Sequence, residues 1–277
     1  MTFSIVARSA DGSAWGVAVA SKFLAAGAVV PAARAGLGAF ATQSFVNLRY
    51  VPDGFALLEQ AVPAAEVLRR LTEADELSAS RQVGVVDRDG GAAAFTGQEC
   101  IAWAGSASGR DYAVQGNCLA GPEVVAAMEQ AFLAADRAQP LARRLLAALG
   151  AGDSAGGDRR GRQSAALYVV TPGGGYAGGN DVLVDLRVDD APAPLPELER
   201  LLDLHDLYFG KPDPATLLPL EGVLAEEVRA RLAALGYGGE DLSEVLFDWM
   251  GWENYEERHV PGSIDPVVLA ALRALPA

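Results

Sequence analysis

Cysteine is scarce in this chain. Cys100 and Cys118 are the only two, and without CxxC spacing they offer neither a disulfide framework nor a thiolate metal site. Histidine is as scarce. His205 and His259 are the only imidazoles, and neither has a second histidine or a cysteine at ligand spacing, so no metal and no cofactor is expected. Positive charge is short as well, with 22 Lys and Arg against 36 Asp and Glu, a net charge of −14. That balance argues against nucleic acid and anionic membrane surfaces as partners. An uninterrupted apolar stretch of about 18 residues is missing, so no transmembrane helix is expected. No basic start leads into an apolar run and a small-residue cleavage site, so no signal peptide is expected and the expected compartment is the cytoplasm. There is no Gly-x-Ser-x-Gly elbow, and both histidines lie in or near the C-terminal part, which gives Ser-His-Asp catalysis poor support.

What is present is apolar bulk. Hydrophobic residues make up 51% of 277, enough for one large core with a small appendage. The acidity is uneven. Residues 201–277 hold 14 Asp and Glu against 5 Lys and Arg, a net of −9, whereas residues 1–200 hold 22 against 17, a net of −5. The asymmetry points to a separate C-terminal module. The expected division is a domain over 1–190, a Pro-rich linker and helix over 191–212, and a small helical domain over 213–277.

The hydrophobic patterning predicts strands over 3–8 and 14–20 joined by the Asp11-Gly12 turn. The second is apolar throughout, as a strand buried on both faces would be. A strand over 36–43 is rich in small residues, which suggests close approach of another layer. Two helices follow, one opened by Pro52-Asp53-Gly54 and one by Pro63. Strands are then expected over 82–87, 92–96 and 111–115. Helices start at Pro122 and at Pro140, the second ending on Gly150 as its cap. Strands over 164–170 and 181–188 close the domain, and the glycines at 173–179 read as a hairpin loop, since no Lys-Ser/Thr ending or following helix completes a phosphate loop. Strands buried on both faces, with helices in pairs, suit two packed sheets covered by helices. Ala191-Pro192-Ala193-Pro194 is a stiff linker. A helix over 196–208 and three short helices over 221–235, 242–252 and 266–274 follow, the last with Asp265 as its N-cap.

Several stretches could carry chemistry. Thr2 directly follows the initiator methionine. Removal of Met1 would leave a free α-amine on the residue that bears the hydroxyl, a nucleophile and a general base in one amino acid; otherwise Thr2 is simply the first β-branched residue of a strand. Gly157 to Ser164 places four charges and Gln163 at the mouth of an apolar strand. It reads either as a solvated basic loop or as a polar cluster in which Arg159 and Arg162 bind a carboxylate while Asp158 or Ser164 orients a catalytic amine. Ser44 and Asn47 leave another buried strand, where freed N–H groups can serve as oxyanion donors. Asn117 leaves a third, with a plain turn as the alternative. Lys22, one of two lysines, and Arg34 could lower an α-amine pKa from its usual ~7.7–8.0, or serve at the surface.

With those residues in view, the chain resembles a bacterial and archaeal domain-of-unknown-function family (DUF1028) placed in the Ntn-hydrolase superfamily. The matching pieces are Met1 to Ala7, Gly16 to Ser21, Val30-Pro31, Gly38 to Ser44, Arg81 to Gly84, Phe95 to Gly97, Gln115 to Asn117, and Gly157 to Ala165. The resemblance implies an α+β chain, a four-layer αββα sandwich followed by a small all-α domain, with Thr2 at the nucleophile position. Lys22 or Arg34 would tune the amine, and an N–H near Ser44 would bind the oxyanion. Ser21 stands near where proteasome-like relatives carry an aspartate. Residues from about 208 resemble a peptidoglycan-binding-like domain, through Leu232 to Gly236 and Gly262 to Asp265. The expected function is amidohydrolysis of a C–N amide bond in a small molecule through Thr2. Its alternative is a non-catalytic binding or scaffold protein, with the helical module as a protein or cell-wall contact element. A homo-oligomer is the expected assembly, with peptidoglycan as a less favoured partner.

Overall fold

A computed structural model describes residues 2–276, and the chain divides between Arg200 and Leu201 into two compact units. The first contains β1 (Thr2–Arg8), β2 (Trp15–Ser21), β3 (Pro31–Arg34), β4 (Gly38–Ser44), α1 (Tyr50–Glu59), α2 (Ala64–Glu73), β5 (Arg81–Asp87), β6 (Ala92–Thr96), β7 (Gly105–Gly109), β8 (Tyr112–Asn117), α3 (Glu123–Ala134), α4 (Leu141–Ser154), β9 (Ser164–Val170) and β10 (Val182–Val188). Helix α5 (Pro194–Phe209) runs across the division. The protein is therefore a mixed helix-and-strand chain with antiparallel sheets. One sheet has six strands in the order β10-β9-β2-β1-β8-β7, and the other has four in the order β3-β4-β5-β6.

Strand alternation decides what each face meets. Val6, Val17 and Val19 of the larger sheet share one apolar cluster with Ala39, Ala41 and Val86 of the smaller. The small side chains on β4 are what bring the two sheets together. The opposite side of β4 and β5 sends Phe40, Val83 and Val85 into a second cluster with Phe55, Leu58, Val67, Leu68 and Leu71 of α1 and α2. Helix α4 packs on β1, β2 and β9, so closely that a Cβ on Gly16 would come within 2.8 Å of Leu145. β1 and β2 are buried on both sides, as the apolar run of the second predicts.

Three local expectations are corrected. Helix α4 runs through Gly150 to Ser154; the left-handed glycines lie later, at Gly156 and Gly157. β3 and β7 are strands that their Ala-, Gly- and Ser-rich sequences do not announce. The linker ends sooner than expected, because α5 already starts at Pro194, a residue with φ suited to a first turn.

The second unit holds β11 (Leu218–Pro219), α6 (Gly222–Ala234), α7 (Leu242–Trp252), β12 (Ser263–Ile264) and α8 (Pro266–Ala274). Its core gathers Val228, Leu232, Leu246, Trp249, Met250, Ile264, Val268 and Leu269. Asp241 and Asp265 cap α7 and α8 by accepting the N–H groups of Ser243 and Val267, each at 2.8 Å. Buried Arg258 donates to Leu207 O at 2.6 Å and to Asp265 at 2.7 Å. Among the described residues, no helix is long and apolar enough to cross a membrane.

Candidate functional site

Thr2 opens β1 and is only 5% exposed. It stands opposite Asn117 on β8. The β1–β2 register, with Phe3 opposite Ala20, carries Thr2 opposite Ser21, and Ser21 stands opposite Ser164 on β9. Directly opposed residues share a face of the sheet. Ser164, Ser21, Thr2 and Asn117 therefore make one buried polar row across four strands. Thr2 Oγ1 lies 3.0 Å from Ser21 Oγ. Two residues along β1, Ser4 Oγ donates to Gln43 Oε1 of the other sheet at 2.7 Å, so this row faces the four-stranded sheet.

A layer of amides continues from the row. Gln43 Nε2 donates to Thr2 O at 3.2 Å and to Gln82 Oε1 at 2.8 Å. Asn117 Nδ2 also donates to Gln82 Oε1, at 2.8 Å. Gln82 Nε2 donates to Gly116 O at 2.7 Å and to Thr96 Oγ1 at 2.9 Å. Gln115 Nε2 donates to Ser4 Oγ at 2.6 Å. Gln43, Gln82, Gln115 and Asn117 are buried, where such bonds are costly to break.

The loop before β9 meets the turn after β2. Asp158, buried, accepts the Lys22 N–H at 2.9 Å and pairs with Arg160 at 2.9 Å. Ser164 Oγ donates to Phe23 O at 2.6 Å and accepts the Ala26 N–H at 3.1 Å. Both side chains are thus engaged in holding residues 22–26, so the expectation that one of them orients the catalytic amine gives way to a scaffold role. Lys22 adjoins Ser21, but its residue is exposed and its backbone makes the contact. Gln163 donates to Asp190 at 3.1 Å and Arg162 to Asp153 at 2.7 Å. Arg159 donates its backbone N–H to Cys118 O at 3.1 Å, and its side chain is exposed. A small cleft beside this loop is lined by Phe3, Ser21, Arg162, Ser164 and Leu195 among others.

Other expected residues sit elsewhere. Arg34 pairs with Gly38 at the far end of β4. That is five residues from Gln43, about 17 Å of strand, and the guanidinium binds Glu59 at 2.8 Å and stacks on Phe55. Arg34 is not part of the Thr2 site. Ser44 ends β4 with φ 69°, and the next N–H, of Phe45, is already given to Ser80 O at 3.1 Å. Asn47 donates to Asp75 at 2.9 Å, which ties it to the neighbouring loop instead of to a substrate. Burial works to raise the Asp75 pKa. Donors from Arg81, Asn47, the Leu77 N–H and Tyr50 outweigh it and hold this carboxyl well below the usual range. Tyr50 is pushed far above its ordinary value by burial and by Asp75. Asn117 does lie beside Thr2, and its side-chain N–H₂ group donates to Gln82.

The sequence reading passed over Ser21, Ser4, Gln82 and Gln115 as site residues. Their signal was a polar residue at every second position of otherwise apolar strands: Thr2 and Ser4, Gln115 and Asn117. Among the described residues, no group of three or more His, Cys, Asp or Glu is arranged to hold a metal ion.

Comparison with known proteins places the chain. A family model described as "Family of unknown function (DUF1028)" matches residues 2–198. One described as "Putative peptidoglycan binding domain" matches residues 208–272. A crystal structure of a protein from Silicibacter pomeroyi, titled with the same family model, is similar at TM-score 0.66 and 30% identity, covering 82% of this chain and 92% of that one. Anbu (ancestral beta-subunit) from Yersinia bercovieri is matched at TM-score 0.35 and 13% identity, over 73% of this chain and 96% of that one. No curated protein matches. With a family model that spans nearly the whole first unit, and a solved member of the same family 30% identical, the chain belongs to the DUF1028 family.

Proposed function

We propose that this protein is an N-terminal-nucleophile amidohydrolase built on a four-layer αββα frame. Two facing sheets, with α1 and α2 packed on one and α4 on the other, support the frame. The observation that carries this reading is Thr2: its hydroxyl is buried beside that of Ser21, at the start of β1. Once Met1 is cleaved, Thr2 Oγ attacks an amide carbonyl and its proton passes through a water to its own α-amine. The tetrahedral intermediate collapses, the C–N bond breaks, and the amine leaves with that proton. Water then hydrolyses the acyl ester on Thr2 and restores the hydroxyl. Ser21 Oγ lies 3.0 Å from Thr2 Oγ1 and can donate to it or accept from it. Arg159 has no acidic partner among the described residues and serves to hold a substrate carboxylate in a bidentate fork.

Intact mass of protein from its native host, followed by treatment with an acylating β-lactone, tests this reading. Loss of the methionine mass and labelling of wild type but not of Thr2→Ala are expected. Methionine retained in full, or equal labelling of the two proteins, would defeat it. A second reading makes the helical unit a contact element. It is favoured by Trp252 of α7, 78% exposed, since aromatic residues are enriched in protein interfaces. Absence of wild-type retention on insoluble peptidoglycan would remove the cell wall as that partner, and equal retention of wild type and Trp252→Ala would take Trp252 out of the contact.

A further inference from the structure

Two buried side-chain oxygens in the amide layer lack a partner among the described residues, Asn117 Oδ1 and Gln115 Oε1. Their orientation follows from the layer itself. Gly116 O is a backbone carbonyl and can only accept, so the Gln82 atom 2.7 Å from it is the N–H₂ group. Gln82 Oε1 is then an acceptor, and the Asn117 atom 2.8 Å from it must be the donor Nδ2. The other Asn117 atom is therefore oxygen. The same reasoning from Thr2 O fixes Gln43 as donor there and as acceptor toward Ser4. An amide flip at Asn117 would set two oxygens against each other.

Asn117 is fully buried and is the cross-strand partner of Thr2 on β8. Directly opposed Cβ atoms lie about 4.5–5.5 Å apart, within reach of an amide oxygen on one and a backbone amine on the other. A buried acceptor of this kind calls for a donor. We propose that Asn117 Oδ1 accepts a hydrogen bond from the freed α-ammonium of Thr2 and is the positioning residue for that amine. This rests on the reading of Thr2 as an N-terminal nucleophile.

The choice of an amide over a carboxylate has a chemical consequence. A carboxylate beside an ammonium favours its charged form and raises its pKa. A neutral oxygen orients the amine with a weaker effect, so the amine can lose its proton near neutrality and act as a base. The ionisable groups on the elements that meet here are Lys22 after β2, the Asp158–Arg160 pair before β9, Asp153 of α4 with Arg162, the Arg81–Asp75 pair at the start of β5, and the thiol of Cys118 after Asn117. None of them changes in the variants below.

The test uses the full chain released from a fusion so that Thr2 is its first residue, with ¹⁵N-threonine labelling. The α-amine is titrated by NMR in wild type, Asn117→Asp and Asn117→Ala. The aspartate variant is expected to raise the amine pKa by about one unit or more, and the alanine variant to lower it. General loosening of the strand end would instead carry both variants the same way, toward the free-chain value of ~7.7–8.0. One value in all three proteins, or both variants moving together, overturns the proposal. If the aspartate variant does not fold, the alanine variant decides alone: an unchanged or raised pKa overturns it. β-Lactone labelling of the same wild-type sample judges the enzymatic reading separately. Opposite shifts without labelling would sink the hydrolase and keep Asn117 as the amine's partner; labelling without shifts would do the reverse.

Discussion

The hydroxyls of Thr2 and Ser21 stand 3.0 Å apart across β1 and β2, both on nearly inaccessible residues. Such a pair restricts the rotamer of the Thr2 hydroxyl. Ser21→Ala removes the partner and leaves Thr2 to rotate. A hydrogen bond of about 1–1.5 kcal/mol corresponds to roughly tenfold in rate. Acylation of Thr2 by a β-lactone is therefore expected to slow about tenfold in Ser21→Ala, with global stability lowered by only about 1 kcal/mol in urea. Unchanged labelling kinetics would show that Ser21 does not position the Thr2 hydroxyl.

Asp158 joins two segments far apart in sequence, receiving the N–H groups of Lys22 and Arg160 as well as the Arg160 guanidinium. Its side chain is 1% exposed and that of Arg160 33%. Removing one partner of a fully buried pair costs about 3–5 kcal/mol. Because Arg160 keeps some water, Asp158→Ala is expected to cost less, about 2–3 kcal/mol, and Asp158→Asn less again, since one oxygen remains. Urea midpoints for the three proteins read this directly. Equal midpoints for wild type and the alanine variant would mean the loop holds without its carboxylate.

How much of this was readable beforehand follows from which physics each feature obeys. β2 and β9 were legible because burial on both faces writes an unbroken apolar run, and α8 because Asp265 caps it. β3 and β7 were not, since Ala, Gly and Ser carry little β preference and pairing with β4 and β8 alone makes them strands. The position of Thr2 could be read from its place in the chain. The row with Ser21, Ser164 and Asn117 could not, because cross-strand register is a long-range property. Arg34 was misplaced for the same reason: closeness along the chain to β4 does not say which end of β4 it adjoins. The orientation of the Asn117 side chain was not readable either, because an isolated amide offers both roles and only Gln82 selects between them.

Asp75 gives the molecule a pH signature. Its folded pKa is depressed, because bonds from Arg81, Asn47, Leu77 and Tyr50 outweigh the cost of burial. A depressed carboxylate contributes stability above its unfolded value of ~3.9 and loses that contribution as pH falls through the folded value. Asp75→Asn is therefore expected to be less stable than wild type at pH 7. The gap should narrow in acid below about pH 3.9, where the unfolded carboxyl of wild type is already protonated. Urea unfolding of both proteins at pH 7 and in acid gives the comparison. A gap that stays constant with pH would show that the loss is steric and unrelated to the charge.

The two sheets touch through amides as well as through alanine and valine, and at Gly84 they leave no room for a side chain. A Cβ on Gly84 would fall 2.1 Å from Gln115 Oε1 and 2.7 Å from its Cδ. The end of a long side chain would normally swing away. This one is held by its donor bond to Ser4 Oγ at 2.6 Å, and Ser4 in turn donates to Gln43. Gly84→Ala must therefore either part the sheets or break that bond and leave the Gln115 amide unmet in the interior. Overpacking of this order costs about 1–3 kcal/mol, and a lost buried hydrogen bond adds to it. The double variant Gly84→Ala with Gln115→Ala removes the clashing group, so it should be more stable than the sum of the two single changes predicts. A double-mutant cycle in urea reads that coupling. Strict additivity would mean that Gly84 and Gln115 do not compete for the same space between the sheets.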